Sequence, residues 1–480
     1  MEGPRESSAL KSRLSYPRKK LLTNALPDEL WGTMATRDSK TPGAVGKSAM
    51  RKALWHILPL ILLSYLCAYM DRVNVSFAAI QMNVDLSFSA TVYGLGGGLF
   101  FLGYALFEIP SNMLAVRYGS RRWLARIMIT WGLLSAAMLF VQTPTHFYVM
   151  RFLLGVAEAG FYPGVIYYFA SWFPACHRGR AVSRFYVASP LASVVMGGIS
   201  GALLGLDGVA DLRGWQWLFL VQGLPSVLVG LLVLRFLPDK PASISWLTTE
   251  ERAWIEGELT REAIRIGEPR GHNPLASLRN PKVLLLAATG TLYIGVTTTV
   301  VLSAPLLLLR NTGLDARHVG FLISFGGVLG AAVMLLAGDY ADRRGDRFLN
   351  AFWLTVAMAA ALVLIAIAPS TPIVIAAYLL FAASCFTIAM LVSSGWAEVL
   401  HIRELAVGAA AINSVCQLGA FAMPFAWGAA RDATGGFTLG LVSLAVLTLA
   451  SATLTMRIRI GVRHKRRLDS AVSLATTTSQ

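Results

Sequence analysis

Long apolar stretches alternate with short polar connections along most of the chain. Twelve of these stretches are long enough to cross a bilayer, because a spanning helix needs about 20 apolar residues. They form two sets of six, separated by a longer polar segment. The first set covers 53–78, 91–116, 123–141, 146–173, 181–206 and 215–237, and the second covers 282–309, 318–338, 348–368, 372–400, 405–430 and 436–457. The pattern predicts an all-α membrane protein with twelve transmembrane helices.

Three polar segments flank the two sets. Residues 1–52 are rich in Ser, Lys, Arg and Pro and contain no apolar run that resembles a cleavable signal peptide, so they predict a disordered cytoplasmic tail. Residues 238–281 predict a charged cytoplasmic linker, and residues 458–480 predict a basic cytoplasmic tail. The apolar sets are then two six-helix bundles, 53–237 and 282–457.

Composition excludes a soluble globular protein, because 55% of the 480 residues are hydrophobic and only 14% are charged. A net charge of +16 would suggest nucleic-acid binding in a soluble chain. Here the basic residues lie in tails and short loops, so no nucleic-acid partner is predicted. The four cysteines lack paired or metal-like spacing, and no ATP-binding glycine loop or His–Cys cluster occurs. The sequence therefore predicts no cofactor, no metal site and no enzymatic activity.

Arginines predict the orientation in the membrane. They are concentrated after the second, fourth, eighth and twelfth apolar stretches, whereas the opposite loops hold few. The rich loops contain Arg117, Arg121, Arg122 and Arg126, then Arg178, Arg180 and Arg184, then Arg343, Arg344 and Arg347, and finally Arg457 to Arg467; the poor loops contain Arg213, Arg310, Arg317 and Arg431. Because cytoplasmic loops carry the excess of Lys and Arg, both termini are predicted to be cytoplasmic.

The two halves share an internal repeat. The loop after the second stretch reads Ala115-Val-Arg-Tyr-Gly-Ser-Arg-Arg122, and the loop after the eighth reads Ala341-Asp-Arg-Arg-Gly-Asp-Arg347. Two similar six-helix halves are typical of transporters, whose substrate site lies between the halves near the bilayer midplane.

On these features the sequence resembles the major facilitator superfamily, whose loop signature is Gly-x-x-x-Asp-Arg-x-Gly-x-Arg. The second half matches it at Gly338, Asp342, Arg343, Gly345 and Arg347. The first half matches at Arg117, Gly119 and Arg121, whereas Asn112 and Val116 replace the usual Gly and Asp. The resemblance implies two pseudo-symmetric bundles and a conformational role for both loops.

Ionisable residues inside the predicted helices are candidates for function, since each costs about 2.5 to 3.5 kcal/mol on insertion scales. They are Asp71, Arg72, Glu108, Arg151, Glu158 and Glu398. Nearly all lie in the first half. For Glu108 two interpretations stay open, a third proton site or a cap at a helix end beside Pro110.

The fourth stretch places two of these charges on one helix face. At about 1.5 Å per residue, Arg151 lies roughly 8 Å and Glu158 roughly 18 Å from the outer end. Gly160 and Pro163 loosen the helix next to Glu158. A carboxyl in this setting is suited to carrying a proton, although a permanent structural pair with Arg151 is the alternative.

Asp71 and Arg72 are adjacent in the first stretch, so their side chains point about 100° apart and do not simply neutralise each other. An arginine facing a cavity is suited to gripping a carboxylate through two parallel hydrogen bonds. The alternative is a pair anchored to headgroups and water at the outer interface.

Further motifs carry a closer resemblance, to the anion:cation symporter family and its bacterial phthalate, tartrate and hydroxyphenylacetate permeases. These motifs are Tyr69-x-Asp-Arg72, Arg151 to Gly164, Phe107-Glu-Ile-Pro-Ser-Asn112, Ser171-Trp-Phe-Pro174, Arg213-Gly-Trp-Gln-Trp-Leu-Phe219 and Trp246 to Arg252. The resemblance runs from about Leu54 to Arg457 and implies transport of organic anions, commonly with protons.

The resemblance also implies roles for individual residues. Asp71 and Glu158 match the proton-carrying carboxylates. The substrate-binding candidates are Tyr69, Arg72, Tyr104, Arg151, Ser393 and Asn413. In the fifth stretch, Val187 to Ala192 offers little to a polyol, which favours a less hydroxylated carboxylate.

The sequence thus predicts a secondary active transporter that imports a small organic anion, an aromatic or hydroxy carboxylate, together with protons by alternating access. A functional monomer in the bacterial inner membrane is expected. Two alternatives remain open, a proton-driven efflux antiporter and a non-transporting membrane sensor. The arginine beside Asp71 favours an anion over the cationic drugs that exporters commonly carry.

Overall fold

The computed structural model describes residues 43–266, 279–400 and 402–478, apart from the side chains of some residues in these ranges. In this part of the chain, fifteen α-helices and three single-turn 3₁₀ segments follow one another. The chain divides into a short unit, Met1–Ser48, and a large unit, Ala49–Gln480. All contacts described below lie within the large unit.

The helices fall into two halves joined by a helical connection. The first half contains α1 (Ala44–Asp85), α2 (Ala90–Tyr118), α3 (Ser120–Ala137), α4 (Pro144–Glu158), α5 (Phe161–Ala170), α6 (Ala175–Tyr186), α7 (Ala188–Leu204) and α8 (Gly214–Phe236). The connection contains α9 (Thr249–Ile266). The second half contains α10 (Pro281–Thr312), α11 (Ala316–Arg344), α12 (Arg347–Ile367), α13 (Thr371–Val399), α14 (Ile402–Thr434) and α15 (Thr438–Thr478).

Twelve helical segments in the described part of the chain are long and apolar enough to cross a membrane, which confirms the predicted fold class. Two segments consist of two helices each, α4 with α5 and α6 with α7. The ends differ from prediction: α1 begins at Ala44 rather than 53, and α15 continues to Thr478, through residues predicted as a tail. Residues 1–42 of the predicted N-terminal tail and 267–278 of the predicted linker lie outside the described residues.

The linker helix α9 begins with a capping box. The Thr248 hydroxyl accepts a hydrogen bond from the Glu251 amide at 3.2 Å, and the Glu251 carboxylate accepts one from the Thr248 amide at 2.9 Å. These reciprocal bonds satisfy two amides that a helix start leaves without partners. The same carboxylate pairs with Lys52 of α1 at 2.9 Å, so α9 is fastened to the first half.

Two of the predicted spans are interrupted. The fourth breaks between Glu158 and Phe161, where Gly160 has a φ of 84°, a left-handed conformation that glycine adopts at little cost. The fifth breaks at Val187, where Pro190 in the first turn of α7 cannot donate a helical hydrogen bond. Glu158 therefore lies at a helix end inside the bundle, the kind of place where transporters build binding sites.

Helices in each half approach closely through glycine. A Cβ added at Gly155 of α4 would collide with the Phe100 carbonyl of α2, and one at Gly132 of α3 would lie 2.7 Å from the Gly223 carbonyl of α8. Small residues permit such close backbone packing, which drives helix association where water is absent. The packing at Gly155 sets α4 beside α2, part of the arrangement that brings the candidate site together.

The two halves meet along two helix pairs, α2 with α14 and α7 with α11. At Gly94 and Gly98 of α2, an added Cβ would collide with the backbone of Pro424 and Phe421 of α14. Gly197 of α7 approaches the backbone of α11 in the same way. These contacts lie toward the end of the bundle that holds loops 86–89 and 435–437, which the arginine distribution predicts to be the outer end.

Substituting Gly155 with alanine is expected to destabilise the protein by about 1 to 3 kcal/mol, because the new methyl group must push α4 away from Phe100 of α2. The measurement is the thermal unfolding midpoint of the purified protein in detergent. Gly179→Ala is the matched control, since a Cβ there meets no atom within 4 Å. Equal midpoints for the two variants would contradict the proposed packing.

Candidate functional site

The centre of the candidate site is an ion pair between α1 and the end of α4. Arg72 donates to Oε1 of Glu158 from Nε at 2.8 Å and from Nη2 at 2.5 Å. The Glu158 side chain is 0% exposed, whereas that of Arg72 is 21% exposed. Among the described residues, Oε2 of Glu158 has no hydrogen-bond partner. One oxygen of the carboxylate thus holds the arginine, and the other is available to a proton.

Aromatic rings surround the Arg72 guanidinium. Its Cζ atom lies 5.4 Å from the ring centre of Tyr69, 5.3 Å from that of Tyr104 and 5.8 Å from that of Phe100. Rings at this distance stabilise a cation through their negative faces. The structure therefore brings together three predicted site residues, Tyr69, Arg72 and Tyr104, with the predicted proton carrier Glu158.

Asp71 lies on another side of α1 and is 1% exposed. Its Oδ1 accepts a short hydrogen bond from the Ser135 hydroxyl of α3 and a long one, 3.5 Å, from the side-chain amide of Asn74. Its Oδ2 has no partner among the described residues. This burial does not fit the alternative of a headgroup-anchored Asp71–Arg72 pair, and the two predicted proton carriers occupy separate environments.

Arg151 does not pair with Glu158, contrary to the alternative of a permanent structural pair. Its guanidinium stacks over the Phe100 ring at 4.9 Å, and its Nε and Nη1 atoms lack hydrogen-bond partners among the described residues. The side chain is 1% exposed. Arg151 is therefore a buried cation behind Phe100 and does not face open space in this conformation.

Glu108 connects the two halves. Its Oε1 accepts from the Asn413 side-chain amide at 2.5 Å and its Oε2 accepts from the Ser414 hydroxyl at 2.9 Å, both on α14. It lies inside α2, which runs on to Tyr118, so it does not cap a helix end. Asn413, predicted as a substrate contact, is thus engaged by a carboxylate one turn from Tyr104. The apolar setting of Glu108 was the sequence signal for this role.

Sequence reasoning missed an aromatic cluster beside the two helix breaks. It consists of Tyr65, Tyr162, Phe185 and Tyr186, and it joins Tyr69, whose ring centre lies 4.9 Å from that of Tyr65. Tyr65 stacks on Phe185 at 3.8 Å, and the hydroxyls of Tyr162 and Tyr186 are 2.6 Å apart. Tyr162 and Tyr186 are half-buried, so aromatic faces continue from the arginine toward the breaks.

Ser393, the predicted substrate contact in the second half, is half-buried near the end of α13, which closes at Val399. The carbonyl of its neighbour Ser394 accepts a hydrogen bond from Arg347 at 3.2 Å. Ser394 therefore contacts the second conformational loop. The contacts described for Arg72 and Glu158 do not include Ser393.

The first predicted loop motif makes one ion pair within its own half. Arg121 contacts Asp239 at 3.1 Å, and Gly119, with a φ of 87°, forms the turn between α2 and α3. Arg117 lies over the ring of the neighbouring Tyr118, with 5.6 Å between its Cζ and the ring centre. Asp239 thus supplies a carboxylate next to the loop in which Val116 replaces the usual Asp.

The second loop motif turns at Gly345, whose φ is 66°. Arg347 lies 3.8 Å from Glu398 of α13, and Gly338 approaches the Met390 side chain. Arg343 is exposed, and the side chain of Asp342 lies outside the described residues. The motif joins the ends of α11, α12 and α13.

A carboxylate at this loop fastens the long helix α15. Asp346 accepts from Arg459 at 3.0 Å, from Arg463 at 2.8 Å and from the Leu349 amide at 3.1 Å. Burial alone would raise the pKa of Asp346, but these hydrogen bonds and the two arginine charges lower it below its ordinary value. The arrangement explains why α15 continues past the predicted end at 457.

In the described ranges, no group of three or more His, Cys, Asp or Glu side chains could hold a metal ion. The chemistry that the arrangement offers is exchange of partners on Arg72. A carboxylate ligand can replace Glu158 when that residue takes a proton, because one guanidinium can grip either acid.

Comparison with known proteins agrees with the fold. The model of the Major Facilitator Superfamily matches residues 61–424. A "Putative tartrate transporter" of Agrobacterium vitis is 41% identical over 410 residues, which cover 85% of this chain and 90% of that protein. A "Quinolone resistance transporter" of Acinetobacter baumannii is 38% identical over 412 residues, which cover 85% of this chain and 94% of that protein.

A solved structure shares the fold. The xylose transporter XylE from E. coli, in a partially occluded inward-open conformation, matches with a TM-score of 0.66 and 15% identity, covering 85% of this chain and 98% of that one. The predicted superfamily and the resemblance to tartrate permeases are confirmed. With twelve membrane-crossing segments in its described part, the chain belongs to the Major Facilitator Superfamily of multi-pass membrane transporters.

Proposed function

We propose that this transporter imports a small organic anion, an aromatic or hydroxy carboxylate, together with protons. The observation that carries the proposal is the Arg72–Glu158 pair, a partly exposed arginine held by a fully buried carboxylate. An organic anion that reaches the exposed part of Arg72 meets a cation whose present partner can be neutralised by a proton. Substrate binding and protonation are then linked at one side chain.

The cycle begins with protonation of Glu158, which removes the charge that holds Arg72. The guanidinium is then free to bind the substrate carboxylate through two parallel hydrogen bonds. Asp71 is the second proton carrier, 1% exposed and bonded to Ser135 on another side of α1. After the halves rock, loss of the proton lets Glu158 recapture Arg72 and expel the anion.

Two observations support the substrate class. The half-buried rings of Tyr69, Tyr162 and Tyr186 lie on the arginine side of the helix breaks, so a flat aromatic acid has matching faces there. The relative named for tartrate supports a carboxylate substrate in general. Within this class, the ring-lined surface favours aromatic acids over polyhydroxylated ones.

The coupled proton is required by the membrane potential. Moving one negative charge inward against a negative interior costs about 2.3 kcal/mol per 100 mV. One proton that is carried inward with the anion cancels its charge and therefore this cost. Further protons drive accumulation. We infer that the transporter works as a monomer in the bacterial plasma membrane. Both termini are inferred to be cytoplasmic, in line with the arginine-rich loops.

The test is uptake by proteoliposomes under an imposed proton gradient. The panel contains tartrate, phthalate, hydroxyphenylacetate, nicotinate, a hexonate and benzoate, with cyclohexanecarboxylate as the non-aromatic match for benzoate. Accumulation of one acid that disappears with a protonophore is expected. No accumulation of any acid by folded protein would contradict the import proposal.

Efflux is a second candidate, favoured by the relative named a quinolone resistance transporter. Efflux by proton antiport requires that the proton and the organic anion bind in alternation, so that a proton entering from outside displaces the anion instead of freeing Arg72 to bind it. Loading the panel inside the vesicles distinguishes the two directions. Proton-driven loss of a preloaded acid, without accumulation from outside, would favour the efflux candidate.

A further inference from the structure

A carboxylate of the second half caps a helix of the first half at the predicted outer end. Asp432, near the end of α14, accepts three hydrogen bonds from the start of α2. The donors are the Ala90 amide at 3.0 Å, the Thr91 amide at 2.7 Å and the Thr91 hydroxyl at 2.5 Å. We call these contacts the Asp432 clasp.

The clasp satisfies groups that a helix start leaves without partners. The first amides of an α-helix have no acceptor within the helix, and the positive end of the helix dipole favours a negative charge there. The side chain of Ser89, the residue before α2, accepts from the Val92 amide at 3.2 Å, and its carbonyl accepts from the Tyr93 amide at 3.0 Å. Asp432 therefore completes the cap of α2 from the opposite half, with charge-assisted bonds that are stronger than neutral ones.

The clasp is the outermost of a row of contacts between the halves. Gly428 of α14 lies against the Ala90 carbonyl, and Gly94 lies against Pro424. The hydroxyl of Tyr93 donates to the Leu302 carbonyl of α10 at 2.8 Å. Opening this end must separate α2 from α14, and the Asp432 bonds are the ones that join a charge to backbone donors.

We propose that the Asp432 clasp holds the predicted outer end closed and must release before substrate can enter there. Asp432 is exposed, so water can replace its bonds once the helices part. In the closed state the Asp432 carboxylate is hydrogen-bonded to the first residues of α2. In the open state water hydrates both the carboxylate and these donors. The clasp thereby biases the equilibrium between the two access states without touching the Arg72 site.

A native thiol offers a reporter for this equilibrium. Cys385 of α13 is buried and lines a cavity between the halves together with Val73 and Ser76 of α1. In a background with Cys67→Ala, Cys176→Ser and Cys416→Ala, Cys385 is the remaining thiol of the chain. Its reaction with a charged methanethiosulfonate that does not cross membranes reports which side has access.

Asp432→Ala is expected to raise the rate of Cys385 modification from the predicted outer side by about three- to tenfold, since the closed state loses its clasp. Asp432→Asn keeps one acceptor oxygen and should give a smaller rise. Thr91→Val removes one bond and leaves both amide bonds to Asp432, so it should also give a smaller rise than Asp432→Ala. Reagent is applied to intact cells and to inverted vesicles.

The outcomes separate cleanly. A rise confined to the predicted outer side supports the clasp. An unchanged rate, a rise from the opposite side, or an equal rise from both sides would overturn it, the last because it indicates general loosening. Ser76→Cys in a cysteine-free background repeats the measurement from the first half, so the result does not depend on Cys385 alone.

Discussion

Replacing Arg72 with alanine is expected to lower the initial rate of organic-anion uptake by about a hundredfold or more. Breaking a buried, hydrogen-bonded charge pair costs about 2 to 5 kcal/mol, and Arg72 is the partly exposed cation that the substrate carboxylate would meet. Arg72→Lys should lose at least about tenfold, because an ammonium lacks the planar fork of donors. The measurement is uptake by proteoliposomes of the best acid of the panel.

A structural explanation of the same loss can be separated by a double variant. Arg72→Ala leaves Glu158 buried without its cation, so part of the effect is instability. Combining it with Glu158→Gln should restore the thermal unfolding midpoint but not uptake. Arg235→Lys, an exchange at the end of α8, is the control and should leave both unchanged.

Recovery of uptake in the double variant would show that Arg72 serves only to balance Glu158. Wild-type uptake by Arg72→Ala would remove Arg72 from the substrate site altogether. Either result would leave the fold and the family untouched, since neither rests on this pair. The substrate carboxylate would then need another cation, and Arg151 behind Phe100 is the nearest candidate in this part of the first half.

The twelve spans could be predicted from sequence because each is a local property of about 20 residues. The ends could not be placed, since α1 and α15 continue as helices through polar residues held by tertiary contacts such as Asp346 with Arg459. The helix break at Gly160 was indicated by glycine and proline. The break at Val187 lies three residues before Pro190, a sequence signal that the hydropathy pattern alone does not register.

The sequence predicts which residues belong to the candidate site but not which of them contact one another. Helical geometry places Arg151 and Glu158 on one face, yet the ion pair joins Glu158 to Arg72 of another helix. The pairing depends on how α1, α2 and α4 pack together, and the close approach of α4 to α2 at Gly155 is part of that packing. Contacts between helices distant in sequence are therefore the part that a single sequence leaves open.

Glu108 makes the same point across the two halves. Its partners Asn413 and Ser414 lie about 300 residues away, and no spacing rule connects them. The sequence singles out Glu108 because a carboxyl in an apolar helix is costly to insert and is therefore a candidate for function. In the structure Glu108 forms hydrogen bonds that join α2 to α14. Glu158 differs, because it is paired within the first half.

Glu158→Gln is expected to lower proton-driven accumulation about a hundredfold under a gradient of about two pH units, while counterflow exchange of the same acid continues. Each pH unit of gradient corresponds to about 1.4 kcal/mol per coupled proton, so a gradient of about two units changes the accumulation ratio about a hundredfold for each proton lost. The glutamine resembles a permanently protonated Glu158 and leaves Arg72 free to bind substrate. Exchange, which moves no net proton, then remains possible.

The experiment compares net accumulation with counterflow in the same proteoliposomes. Glu262→Gln, which affects an ion pair with Arg178 away from the site, is the control and should accumulate the acid normally. Glu108→Gln should also keep accumulation, because its amide can still bond Asn413 and Ser414 across the halves. Unchanged accumulation by Glu158→Gln would assign the coupled proton to Asp71 or Glu108 instead. Loss of both accumulation and counterflow would show that Glu158 is a structural partner of Arg72 rather than a proton carrier.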